Sequence, residues 1–191
     1  NRVRLTRLTN YSTNSGTMSF GITPALWPSA NNRATAVSRA VVPETASLLW
    51  KMKPTAVPNV RPTAPVAVAD LVLLAGSDGV VRAIDAETGS QKWTAYTGGQ
   101  ILIPPTVHDG RALVGSGDGW VYAFEAATGR LLWRFQAAPE NRKIPVYGKL
   151  LSTWPAATGV LIEDQTAYVA SGLVNYDGTY VHALDPATGK L

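Results

Sequence analysis

Apolar and polar positions alternate with a period of two in short runs along most of this chain, and polar turns cut the runs apart. Val81 to Asp85, Val121 to Glu125 and Val181 to Asp185 are three such runs. An Asp-Gly pair opens each, at Asp78-Gly79, Asp118-Gly119 and Asp177-Gly178. Asp-Gly between β-rich segments predicts a hairpin, because glycine accepts positive φ without a steric cost. Shorter apolar runs precede each pair: Leu71 to Ala75, Arg111 to Gly115 and Ala167 to Ala170. Before those come Pro65-Val66-Ala67-Val68, Pro105-Thr106-Val107 and Pro155-Ala156-Ala157 leading to Val160. No stretch sustains the spacing of an amphipathic helix, so no long helix is expected.

The pattern repeats. Gly79 and Gly119, Gly89 and Gly129, and Trp93 and Trp133 are each 40 residues apart. A third copy runs from Asp177 to Gly189 and reaches the end of the chain at Leu191. Units of this length cannot bury their own apolar faces and must stack on their neighbours. Four short strands per unit is the content of one propeller blade. The closing Trp of each unit is expected to lie buried across the seam to the next blade, with a backbone carbonyl accepting from its indole N–H.

At these residues the chain resembles a known family. Ala83, Asp85, Thr88, Gly89 and Trp93 form the pattern Ala-x-Asp-x-x-Thr-Gly-x-x-x-Trp. It is similar to the tryptophan-docking motif of PQQ-like repeat propellers. Ala123, Thr128, Gly129 and Trp133 repeat it with Glu125 in the Asp place, and Ala183, Asp185, Thr188 and Gly189 begin it again. Trp50 resembles the closing strand of an earlier blade, and Trp27-Pro28 with Asn31-Asn32 resembles the lead-in to a first blade. WD40, kelch and sialidase-type repeats fit worse, for want of their signature residues or spacing.

The expected fold is therefore all-β, a partial β-propeller of about three four-stranded antiparallel blades. The resemblance implies a ring of seven or eight blades, so the chain is expected to be part of a longer protein whose other blades are its first partners. Residues 1–45 read as a basic, poorly structured lead-in and residues 46–191 as propeller blades. Within these, 46–61 is a remnant strand and linker, 62–98 and 99–138 are blades, and 139–191 is a blade with a rim insertion. The structural docking residues would be Trp93, Trp133, Gly89, Gly129 and Gly189.

Charge is unevenly spread. The net charge is +4, yet residues 1–61 hold eight Lys or Arg against Glu44 alone. Arg2, Arg4 and Arg7 sit among Thr, Asn and Ser with little core potential. Aromatic residues do not interleave with these cations, which gives nucleic-acid binding little support. Pro54, Pro58, Pro62 and Pro65 read as a stiff linker. There is no cysteine, which excludes disulfides and Cys metal sites. No apolar run is long enough to span a membrane.

The third copy is longer. Thr-Gly to Thr-Gly spans 60 residues between Gly129 and Gly189, against 40 before. The excess lies mostly between Phe135 and Pro155, with a smaller extension at Leu173 to Tyr176. In a propeller both connections emerge on one face, and loops on a rigid scaffold commonly carry function. Arg142, Lys143, Tyr147, Lys149, Trp154, Asn175, Tyr176 and Asp177 are the rim candidates; a plain surface insertion that packs on itself is the competing reading. Gly115 to Gly119 mimics a nucleotide loop, but a strand and not a helix follows it, so a hairpin is expected. His108 and His182 make no zinc pattern, and no catalytic residues are assigned.

Two functional classes follow from the resemblance. One is a non-catalytic binding or scaffold module of a bacterial extracytoplasmic, periplasmic protein, with a protein partner on its rim. The other is a segment of a quinoprotein alcohol or sugar dehydrogenase, in which PQQ and Ca²⁺ occupy the ring's funnel. The vicinal Cys-Cys pair frequent in such enzymes is absent from this sequence.

Overall fold

The computed structural model describes residues 48–52, 60–173 and 177–191. The basic lead-in, Trp27, Asn31, Pro54, Pro58, Asn175 and Tyr176 lie outside the described residues.

The period-two runs form antiparallel strands. The first sheet is β1 (Val66–Val68), β2 (Leu71–Ala75), β3 (Val80–Asp85) and β4 (Gln91–Tyr96), paired in chain order. The second repeats it with β5 (Thr106–His108), β6 (Arg111–Gly115), β7 (Trp120–Glu125) and β8 (Leu131–Gln136). The third holds β11 (Val160–Glu163), β12 (Thr166–Ser171) and β13 (Tyr180–Leu184). The insertion before it is itself a hairpin, β9 (Lys143–Val146) and β10 (Lys149–Ser152). No α-helix occurs among the described residues.

The sheets stack face to face. Leu73 and Ala83 of the first sheet pack with Val107 and Ala112 of the second. Nearer the β2–β3 turn, Val81 and Ala95 meet Val114, Tyr122 and Phe124. Leu113, Val121 and Ala123, on the second sheet's other face, pack with Ile162, Val169 and Leu184 of the third. The first sheet's other face is covered by Trp50, which packs with Val72, Leu74 and Ile84, so β2 is buried at every position and reads as a continuous apolar run rather than an alternation. This stack of twisted antiparallel sheets is a partial β-propeller.

Equivalent positions show where the stack is open. Leu73 pairs with Ala83, Leu113 with Ala123 and Tyr168 with Ala183. Leu73 and Leu113 are completely buried, whereas Tyr168 is 40% exposed. Val81 and Val121 are likewise buried, and their counterpart Val181 is 71% exposed. The third sheet thus presents uncovered the face that its two predecessors bury.

Candidate functional site

The seams between blades are fastened at one recurring point. Trp93 Nε1–H donates to the Ala126 carbonyl at 3.1 Å, and Trp133 Nε1–H to the Pro186 carbonyl at 3.1 Å. Trp50 does the same to Ala86 at 2.8 Å, which places it in the docking position of an earlier strand. Each ring lies on the glycine of the next Thr-Gly turn. A Cβ added to Gly129 would sit 2.5 Å from the Trp93 ring, and the backbone there is left-handed, with φ of 74°. Gly89 faces Trp50 and Gly189 faces Trp133 in the same way. The sequence led us to expect buried indoles at Trp93 and Trp133. Both are half-buried, because β4 and β8 are outer strands with one side open to water.

The turn glycine is held by the acidic residue ahead of it. Asp85 accepts from the Thr88 amide at 2.8 Å, the Thr88 hydroxyl at 2.9 Å and the Glu87 amide at 3.1 Å. The Thr88 amide, followed by Lys92 and the Thr88 hydroxyl, holds its carboxyl well below the ordinary 3.8. Asp185 is lowered through the Ala187 amide and Thr188 hydroxyl, and Glu125 through Thr128 and Arg130. These groups organise a turn rather than perform chemistry.

The opposite face carries the β2–β3, β6–β7 and β12–β13 turns. Each holds an Asp with a different partner. Asp78 forms an ion pair with Arg82 at 2.5 Å. Asp118 accepts from the Tyr122 hydroxyl at 2.5 Å and from the Trp120 amide at 3.2 Å. Burial, with the Asp118 hydrogen bond second, pushes the Tyr122 phenol up to about 12. Asp177 pairs with Arg142 at 3.1 Å. One extra residue separates Asp177 from His182, compared with Asp78 to Arg82 and Asp118 to Tyr122. His182 bonds the Ala137 carbonyl instead, and the insertion supplies the missing partner.

Arg142 is the hub of the insertion. Its guanidinium lies 4.5 Å over the Trp154 ring, its Nε–H donates to Thr153 Oγ1 at 3.2 Å, and its far end meets Asp177. Trp154 is 6% exposed and donates to the Asp177 carbonyl at 2.6 Å. The hairpin then reaches back across the face. The Ser152 amide donates to the Gly117 carbonyl at 2.8 Å, and Lys149 Nζ to the Ser77 carbonyl at 3.0 Å. One insertion therefore touches all three sheets. Its tip, Tyr147-Gly148, has φ of 47° and 76°, as a two-residue hairpin turn requires.

Of the rim candidates, the structure brings Arg142, Trp154 and Asp177 into one cluster. Lys143, Tyr147 and Lys149 stand on the hairpin; Asn175 and Tyr176 lie outside the described residues. Asp78, Arg82, Asp118 and Tyr122 were not singled out from the sequence as site residues. The signal that would have found them is an Asp followed four residues on by Arg or Tyr, recurring at the 40-residue step.

The cluster does not fit PQQ or calcium. Trp154 offers no open ring face, since Arg142 covers one side and burial closes the rest. The Asp177 carboxylate is already paired. Among the described residues, no three His, Cys, Asp or Glu side chains are grouped so as to hold a metal ion.

Residues 33–191 match the family model described as outer membrane protein assembly factor BamB. The chain belongs to this PQQ-like repeat family. It is 36% identical over 84 residues to the quinohemoprotein alcohol dehydrogenase ADH-IIG of Pseudomonas putida, covering 38% of this chain and 12% of that protein. It is also 36% identical over 118 residues to the outer membrane protein assembly factor BamB of Bordetella pertussis, covering 62% of this chain and 26% of that one. The solved quinohemoprotein alcohol dehydrogenase of Comamonas testosteroni superposes with a TM-score of 0.57 at 23% identity, over 67% of this chain and 20% of that one. That last likeness shows the propeller fold. The chain thus spans about a quarter or less of the length of these relatives.

Proposed function

We propose that this PQQ-like segment serves as a binding and scaffold module of a bacterial extracytoplasmic, periplasmic protein. Its nearest partners are further blades of the same protein, and its turn face receives a protein partner. One observation carries the reading. Arg142, Trp154 and Asp177 spend their charges and donors on one another, so the rim's extra sequence goes into presenting a hairpin rather than lining a cofactor cavity. The BamB relatives, named as assembly factors, support the same class.

The test is photo-crosslinking in the full protein within its own cell envelope. A benzophenone amino acid is placed at Leu102, Tyr147 and Leu150 on the turn face, and at Glu87 on the opposite face. Protein adducts from the turn face alone are expected. Adducts from Glu87 only, or from no position, overturn the reading.

A second reading has one observation behind it, the 36% identity to a quinohemoprotein dehydrogenase. Under it the segment would be part of the shell around PQQ and Ca²⁺ bound by other blades. Titrating the full protein, with all its blades, with PQQ and Ca²⁺ separates the two. Saturable quenching of its Trp fluorescence together with a raised melting temperature favours the dehydrogenase; no change favours the scaffold.

A further inference from the structure

The β9–β10 hairpin has two sides with different fates. Its inner side is committed to the propeller: Leu151 lies against Gly117, where an added Cβ would be 2.9 Å from its Cδ1. Lys149 is tied to Ser77 and the Ser152 amide to Gly117. Leu151 pairs with Ile144 and Leu150 with Pro145. Successive strand residues point to opposite sides, so Leu150 and Pro145 look away from the blades, and Lys143 at the base of the hairpin is exposed. Leu150 is 62% exposed, and Tyr147 at the tip is fully exposed.

We propose that this outer side is the docking surface for a protein partner that presents an apolar cleft edged by carboxylates. Tyr147 and Leu150 fill the cleft, and Lys143 meets the carboxylate edge. The proposal rests on the binding-module reading above and names the residues and the partner's chemistry.

Four observations on the hairpin support it. Fastening to three sheets pre-organises the anchors, so binding costs little ordering entropy. A few apolar anchors within a polar surround are enough for a protein interface. Charge selects an acidic partner, since no Asp or Glu occurs from Asn141 to Ile162, whereas Arg142, Lys143 and Lys149 do; Arg142 and Lys149 are engaged internally, which leaves the exposed Lys143. Finally, Pro145 has no amide hydrogen, and it sits in β9 where a partner strand would add. Recognition therefore runs through side chains rather than through an extra strand.

A lipid surface suits the same residues less well. Even one myristoyl chain gives only marginal membrane binding, and two side chains bury less than that.

The experiment extends the crosslinking. The protein joined to positions 147 and 150 is identified, purified and titrated calorimetrically against the full wild-type protein, Leu150→Asp and Lys143→Glu. Both positions are exposed, so the melting temperature should stay unchanged. Leu150→Asp should weaken binding roughly 10-fold or more. Lys143→Glu should weaken it several-fold at low salt and less at high salt. Adducts from Leu102 without any from positions 147 and 150 would leave the binding-module reading standing and defeat this proposal. Lipid adducts at the tip, or a purified partner indifferent to both substitutions, would defeat it as well.

Discussion

The ring of Trp93 lies on Gly129 of the next blade, and its indole N–H reaches the Ala126 carbonyl in the same turn at 3.1 Å. Stacking and hydrogen bonding thus act at one place. The two contacts fix both the separation of neighbouring sheets and their register. Gly129→Ala should therefore be strongly destabilising. It would place a methyl group inside the indole's contact distance, at a φ of 74° that L-residues rarely adopt. Trp93→Ala should cost about 2–4 kcal/mol, towards the lower part of the range for core aromatics because the ring is half-buried. The double variant should cost less than the two added together, since both remove one contact. Denaturant titration measures all three; strict additivity would show that the ring and the turn act separately.

The turn carboxylates make stability depend on acid. Asp85, Asp185 and Glu125 are all held below their ordinary values of 3.8, 3.8 and 4.5. Below those values the unfolded chain binds protons more readily than the native one, so stability rises with pH there. The contribution is complete above the ordinary carboxylate range and is lost as pH falls through the lowered values. A melting series from pH 7 to pH 2 should be flat at first and then decline. Asp85→Asn with Asp185→Asn should make that decline shallower. An unchanged slope would show that the turns do not couple to folding.

Much of this architecture was legible because its signals are local. The Asp-Gly turns, the Thr-Gly glycines and the Trp residues each announce a backbone conformation or a seam contact within a few positions, and they recur at a fixed step. The hairpin inside the insertion was less visible. Lys-Ile-Pro-Val and Lys-Leu-Leu-Ser do not alternate cleanly, and Tyr147-Gly148 is a weaker turn signal than Asp-Gly. Arg142, Trp154 and Asp177 could be gathered onto one rim from loop topology. That they pair with one another depends on the path of the insertion and on one extra residue before His182. Neither can be read from composition or period.

Tyr122 adds a dependence at the other end of the pH scale. Its phenol is pushed from 10.0 to about 12, first by burial and then by Asp118. A raised value means that the native state keeps its proton longer than the unfolded chain. The stabilisation is full below pH 10 and is lost as pH rises from 10 towards 12. Tyr122→Phe should remove this alkaline loss relative to wild type. At neutral pH the same variant should cost about 1–3 kcal/mol, because buried Asp118 loses its hydroxyl donor and keeps only the Trp120 amide. Parallel wild-type and variant melting curves between pH 9 and pH 12 would contradict the pairing.

The open face of the third sheet governs how this chain behaves alone. Tyr168 and Val181 occupy the positions at which Leu113 and Val121 are sealed by the following sheet. A large apolar surface of this kind seeks cover, and the neighbouring edge of β13 adds unpaired backbone groups. The chain of 191 residues should therefore associate with rising concentration in sedimentation velocity runs. Tyr168→Lys with Val181→Lys should shift it towards monomer without lowering its melting temperature, since neither side chain is packed within the chain's own core. The hairpin variant Leu150→Asp should leave self-association unchanged if that surface is kept for a different partner. Association abolished by Leu150→Asp and untouched by the two lysines would move the sticky surface from the third sheet to the hairpin.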